Sequence, residues 1–157
     1  MFTLDGVPQI DARNNTYYMA IGNSPAMMEK NVGAGSQYLW TYRDAKGTFL
    51  DGAKTYRLHV LPNIPAENFW SVVVYDTLSR SELQNGQPFP SVSKYTNPKI
   101  NEDGSIDVFF GPEKPADAVN WIKTVPGKGW FPIFRFYSPS EAFFDKSWVL
   151  DDIEDVN

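Results

Sequence analysis

The stretch Asp51–Asp76, DGAKTYRLHVLPNIPAENFWSVVVYD, decides the fold class of this chain. Residues 56–60 alternate apolar and polar side chains, the period of two that is typical of a strand with one wet face. Pro62 and Pro65 close that strand, because proline donates no hydrogen bond to a β-ladder. Residues 69–76 alternate less clearly, which favours a central strand covered on both faces. The stretch therefore predicts two strands joined by a proline-rich loop.

The chain on either side continues the β pattern. Further strands are predicted over residues 38–42, 105–110 and 130–137. Turns are predicted over 44–47 and 101–104, each of which contains an aspartate and ends in glycine. Several short strands separated by turn signals and many prolines are typical of two packed sheets. We predict a mainly β protein, an antiparallel β-sandwich of jelly-roll-like type.

Short helices are predicted near both ends of the chain. Residues 11–21 have apolar spacing closer to a helix than to a strand, and 26–30 follow a serine and a proline that favour a helix start. Residues 141–144 follow a second serine and begin with glutamate. The predicted domain division is a helical N-terminal extension, 1–32, and a β-sandwich domain, 33–157.

The composition limits the classes of partner. The 157 residues suggest one domain, and a net charge of −5 with scattered basic residues argues against a nucleic-acid partner. The absence of cysteine excludes disulfides, thiolate metal sites and a cysteine nucleophile. No run approaches the roughly 20 apolar residues of a transmembrane helix. Without a signal-peptide pattern the default location is the cytoplasm, with the periplasm or secretion left open for a truncated start.

The strand–loop–strand stretch resembles a known family when it is taken with three downstream motifs, and the match runs from about residue 33 to the C-terminus. The motifs are Asp103–Pro112, Asn120–Ile122 followed by Pro126–Gly127, and Arg135–Pro139 with Lys146–Trp148. Together they resemble the bacterial family called domain of unknown function 1214.

The resemblance implies a jelly-roll-like β domain and no settled activity or catalytic residues. In that family the domain usually follows an N-terminal domain of unknown function 1254. Only about thirty residues precede the match here, so we expect either a stand-alone form or a piece of a longer protein. The expected partners include a missing N-terminal domain or another subunit.

A polar centre for catalysis can be assembled from His59, Asp76 and Arg135. His59 is the single histidine, so a metal site would need it together with a carboxylate such as Asp76. In a hydrolase, His59 would be the ligand or base and Arg135 an anion clamp. The structural interpretation, which we favour, makes His59 a hydrogen-bonded residue on a polar strand face. It makes Asp76 a turn cap, or a partner of Arg80 or Arg135.

Ligand binding through aromatic rings is the other hypothesis. The candidate residues are Asn120, Trp121, Tyr137 and Trp148, because an exposed ring face can stack on the apolar C–H surface of a sugar. The competing interpretation places such rings in the core, where aromatic side chains are usually buried in good part.

The sequence favours a non-catalytic domain that binds a ligand or partner, since no catalytic motif is assembled. A small molecule or sugar is the expected class of ligand, and no cofactor is identified. Two alternatives stay open: a hydrolase, metal-assisted or carbohydrate-directed, and a structural or oligomerisation module.

Overall fold

The computed structural model describes residues 3–4, 7–8, 10–11 and 29–156. The chain divides into two compact units, residues 1–31 and 32–157. In the first unit, strands β1 (Thr3–Leu4) and β2 (Val7–Pro8) pair antiparallel. The helices predicted over 11–21 and 26–30 fall outside the described residues, apart from Asp11, Glu29 and Lys30.

The second unit contains two four-stranded sheets. Sheet I has the strand order β10–β4–β7–β8, and sheet II has the order β3–β9–β5–β6. The strands are β3 (Ser36–Trp40), β4 (Tyr56–Val60), β5 (Ala66–Asp76), β6 (Ser91–Ser93), β7 (Ile106–Gly111), β8 (Trp121–Lys123), β9 (Trp130–Pro139) and β10 (Glu154–Asp155). The mainly β prediction is confirmed.

One strand pair departs from the predicted antiparallel arrangement. β8 runs parallel to β7, with Phe109 opposite Trp121 and Gly111 opposite Lys123. The connection over residues 112–120 carries the chain back along the sheet before β8 begins, so both strands run in the same direction. All other strand pairs in sheets I and II are antiparallel.

The burial of the side chains in β4 and β5 agrees with the pattern of apolar and polar residues in these strands. In β4 the apolar side chains are buried and the polar side chains between them are half-buried. In β5 residues 70–74 are all buried, as expected for a strand covered on both faces. The Asn101–Gly104 turn closes with a 3.0 Å bond from the Gly104 N–H to the Asn101 carbonyl, and Gly104 adopts a φ of 85°. Helix is minimal in the second unit: α1 covers Glu141–Phe144.

Both sheets contribute to one hydrophobic core. The indole of Trp130, in sheet II, lies with its ring centroid 5.7 Å from that of Tyr56 and 4.9 Å from that of Phe110, both in sheet I. Burial of apolar surface is the main stabilising contribution to such a core. No helix in the described parts of the chain combines the length and apolarity needed to cross a membrane.

We predict that Phe136→Ala lowers the free energy of unfolding by about 3–5 kcal/mol, because it opens a cavity in the core. Phe136 is fully buried, and its ring centroid lies 4.4 Å from Phe134 and 5.7 Å from Trp148. Chemical denaturation measures the change. The matched control is Phe89→Ala, since Phe89 is 76% exposed and should change stability by less than about 0.5 kcal/mol. Equal losses in the two variants would contradict the described core.

Candidate functional site

The structure does not bring His59, Asp76 and Arg135 together. His59 lies on β4 with its side chain on the outer face of sheet I, and Arg135 lies on β9 on the outer face of sheet II. Arg135 is opposite Ser71 on β5, and Asp76 is five residues further along that strand. At about 3.3 Å per residue, Asp76 lies about 16 Å along the sheet from the position of Arg135. The three side chains therefore do not form one polar centre.

His59 belongs to a hydrogen-bonded network on the outer face of sheet I. Its Nδ1 lies 2.8 Å from an Asp107 carboxylate oxygen, and the Asn101 amide donates to the other oxygen at 2.9 Å. Burial raises the pKa of Asp107, but the hydrogen bonds from His59 and Asn101 together outweigh it and lower the pKa. Among the described residues, no group of three or more potential ligand side chains could hold a metal ion. This arrangement agrees with the structural interpretation of His59.

Asp76 caps the turn that follows β5. Its carboxylate accepts hydrogen bonds from the backbone N–H groups of Leu78, at 2.8 Å, and Ser79, at 3.2 Å. These two bonds lower the pKa of Asp76, and Lys128, whose Nζ lies 3.2 Å away, acts in the same direction. The predicted turn cap is confirmed. The cation beside it is Lys128, where the sequence suggested Arg80 or Arg135.

Three of the four predicted ligand-binding residues have structural partners inside the domain. Trp148 is only 9% exposed, and its indole N–H donates to the Pro62 carbonyl at 3.1 Å. Asn120 is buried and donates to the carbonyls of Lys99 and Asp107, at 2.9 and 3.0 Å. Trp121, half-buried, donates its indole N–H to the carbonyl of Gly111, the last residue of β7, at 3.1 Å. The hydrogen bonds of Asn120 fasten the loop before β8, and Trp148 is part of the core.

The fourth candidate, Tyr137, lies beside Arg135 on the outer face of sheet II. The two residues are two positions apart on β9, so their side chains point to the same face of the sheet. Tyr38 on β3 is directly opposite Arg135, and the Arg135 guanidinium donates a hydrogen bond to the hydroxyl of Tyr75 on β5. We call the four residues Tyr38, Tyr75, Arg135 and Tyr137 the tyrosine–arginine face.

The electrostatics of this face combine the Arg135 cation, several phenol groups and one nearby carboxylate. Burial raises the pKa of Tyr75, and the nearby guanidinium of Arg135 opposes that shift. The Glu82 carboxylate also raises the pKa of Tyr75, and Tyr137 and Tyr38 act in the same direction more weakly. Arg135 is half-buried, and its Nε is buried without a hydrogen-bond acceptor among the described residues. The guanidinium is therefore only partly satisfied by the protein.

Aromatic rings extend the face towards solvent. Phe69 is opposite Tyr137, with ring centroids 5.5 Å apart, and it stacks on Tyr95 at 5.2 Å and an interplanar angle of 21°. Tyr95 is 77% exposed, and Tyr38 and Tyr137 are also solvent-exposed. The arrangement can present ring faces, phenol hydroxyls and a cation to one ligand.

Sequence reasoning identified Arg135 and Tyr137 but missed Tyr38, Tyr75, Phe69 and Tyr95. The first three come close to Arg135 and Tyr137 through strand register in sheet II, whereas Tyr95 lies in the turn that follows β6. A partial signal was present in β9, which carries aromatic side chains at both parities of its alternation.

Comparison with known proteins places the chain in a family. It belongs to the family described as protein of unknown function (DUF1214), whose model matches residues 35–141. A search of curated proteins finds no match.

Two solved structures resemble the chain. The VPA0106 protein from Vibrio parahaemolyticus is 23% identical, with a TM-score of 0.69 over 96% of this chain and 36% of that one. An uncharacterized protein from Burkholderia cenocepacia is 17% identical, with a TM-score of 0.54 over 76% of this chain and 30% of that one. At these identities the likeness shows a shared fold. The chain spans about a third of the length of each structure.

We predict that Asp107→Asn lowers stability by about 1–2 kcal/mol at neutral pH, because His59 and Asn101 lose a charged acceptor. The folded-state pKa of Asp107 lies below the ordinary value of 3.8. Its stabilisation is therefore fully present above 3.8 and is lost as the pH falls through the folded-state pKa. Denaturation of both proteins across this range measures the difference, which should shrink in acid. A difference that persisted unchanged in acid would contradict a charge-dependent role, and the exposed Asp117→Asn is the control.

Proposed function

We propose that this chain is a non-catalytic binding module whose tyrosine–arginine face holds an anionic saccharide. The observation that carries the proposal is the half-buried Arg135 guanidinium, hydrogen-bonded to Tyr75 and lying among phenol groups on a partly exposed sheet face. The ligand class combines a carboxylate with a sugar ring, because the face combines a guanidinium with aromatic rings.

Each part of the face has a counterpart in such a ligand. A guanidinium presents a planar fork of donors that matches a carboxylate and forms strong, charge-assisted hydrogen bonds. The exposed rings of Tyr95 and Tyr137 offer flat apolar surfaces on which the C–H face of a sugar can lie. Tyrosine hydroxyls donate and accept hydrogen bonds, which suits the hydroxyl groups of a saccharide.

The local charge, rather than the charge of the whole protein, supports an anionic ligand. The net charge of −5 gives no long-range attraction for anions. Arg135 is partly removed from water, however, and a charge-assisted bond is stronger there than at a fully exposed position. We therefore expect the site to prefer ligands that place one carboxylate group against the Arg135 guanidinium.

The alternatives receive less support. A hydrolase built on His59, Asp76 and Arg135 would need side chains that lie on separate parts of the two sheets. A structural or oligomerisation module would be favoured by light scattering that reports a stable assembly, and a monomer would count against it.

The proposal also covers the type of β domain and the partner of the chain. We propose that sheets I and II form a jelly-roll-like β-sandwich domain over residues 33–157, with residues 1–32 as an extension. Support comes from the single core to which both sheets contribute. Because the chain spans about a third of the similar structures, a further domain or another subunit is the proposed partner.

The test is calorimetric titration of the protein with trigalacturonate and, as a matched neutral ligand, galactotriose. We expect binding of the anionic sugar, and at least about tenfold weaker binding in Arg135→Gln, since a hydrogen bond to a charged group contributes about 1.5–3 kcal/mol. Arg43→Gln is the control, because Arg43 also lies over an aromatic ring, 4.0 Å from the Phe49 centroid, on an exposed loop.

A second variant separates binding from folding. Tyr95→Ala removes an exposed ring. It should leave the melting temperature unchanged and weaken the binding of trigalacturonate. Binding that is equal for the two sugars and unaffected by Arg135→Gln would refute the anionic part of the proposal. The absence of binding to either sugar would refute the saccharide class.

A further inference from the structure

A pocket opens between the two sheets, on the side of sheet II opposite to the tyrosine–arginine face. Its volume is about 160 Å³, and both sheets contribute to its wall. Leu58 comes from β4 in sheet I, and Val72 and Phe134 come from sheet II. Residues 150–153, which precede β10, form the rim together with the end of β3. We call this space the inter-sheet pocket.

The floor of the inter-sheet pocket is apolar. Leu58, Val72 and Phe134 are all buried and belong to the hydrophobic core. An apolar cavity of about 150 Å³ in another protein stays dry and binds benzene, so this volume suits a single phenyl ring or a short branched alkyl group. A ligand of that size would pack on the half-buried apolar part of the lining, which includes Leu39 and Leu150. Such packing contacts are individually small but sum over the wall.

The mouth of the pocket is negatively charged. Asp151 and Asp152 line it, and both are exposed without a hydrogen bond or ion pair to any residue in the described part of the chain. The guanidinium of Arg57 lies near Asp151, but its pKa is raised chiefly by Glu154, to which it donates at 2.7 Å. Arg57 is thus already paired, and the mouth favours a cation.

We propose that the inter-sheet pocket binds a small aryl- or alkylammonium compound. The apolar group enters between the sheets, and the ammonium stays at the mouth beside Asp151 and Asp152. This site goes beyond the proposed saccharide function, because it lies on the inner side of sheet II and uses the opposite charge.

The experiment is a titration of the full chain, labelled at its methyl groups, with benzylamine, benzyl alcohol and benzoate. An aromatic ligand in the pocket shifts the methyl signals of the residues that line it, through the ring current. These reporter residues are Leu39, Leu58, Val72, Leu150 and Ile153. We expect shifts at these methyls with benzylamine, weaker binding of benzyl alcohol and the weakest binding of benzoate.

The charge at the mouth is tested by the double variant Asp151→Asn with Asp152→Asn. Because both positions are exposed, folding should be unaffected, and benzylamine should bind about fivefold more weakly while benzyl alcohol is unchanged. The control is Glu102→Gln with Asp117→Asn, which removes the same charge from exposed positions that do not line the pocket. It should leave both affinities unchanged.

Three results would overturn the inference. The first is the absence of methyl shifts with any of the three compounds. The second is shifts confined to methyls that do not line the pocket. The third is an equal loss of benzylamine affinity in the two double variants, which would assign the effect to net charge alone.

Discussion

The pairing of β5 with β9 is the interaction on which the rest of the structure depends. These two long strands run antiparallel from Ala66 opposite Pro139 to Asp76 opposite Trp130. β3 and β6 attach to their outer edges, so the order of sheet II follows from this one pair. The inward side chains of the pair meet sheet I in the core, and the outward ones carry the tyrosine–arginine face. Both candidate sites therefore depend in part on this ladder of backbone hydrogen bonds.

The sequence predicts the local part of this arrangement well, because a strand with one wet face has a period of two. Residues 56–60 show that period directly, and the buried run within β5 follows from its unbroken apolar character. A turn over residues 101–104 follows from the preference of Asp–Gly for that conformation. β8 and β10 lack such signals, because strands of three and two residues are too short for a periodicity. Their existence depends on neighbours distant in the chain.

The candidate site depends even more on contacts between residues that are distant in the chain. Arg135 and Tyr137 could be singled out one by one as polar and aromatic residues, but the sequence does not encode which strands pair beside them. Tyr38 and Tyr75 reach Arg135 through the register of two separate ladders. Trp148 illustrates the opposite error, because its polar atom is satisfied by the distant Pro62 carbonyl and so tolerates burial. Local sequence identifies a residue that can bind, whereas tertiary contacts decide whether its side chain is available.

The alternation along β9 has a consequence for how this family can change. Phe134 belongs to the wall of the inter-sheet pocket and Arg135, its immediate neighbour, to the opposite surface. Point substitutions can therefore alter one surface and leave the other untouched. A single inserted or deleted residue within the strand would reverse every following side chain and exchange the two surfaces at once. The length of β9 should consequently tolerate less variation than the identity of its outward residues, and new specificities would arise by replacement rather than by insertion.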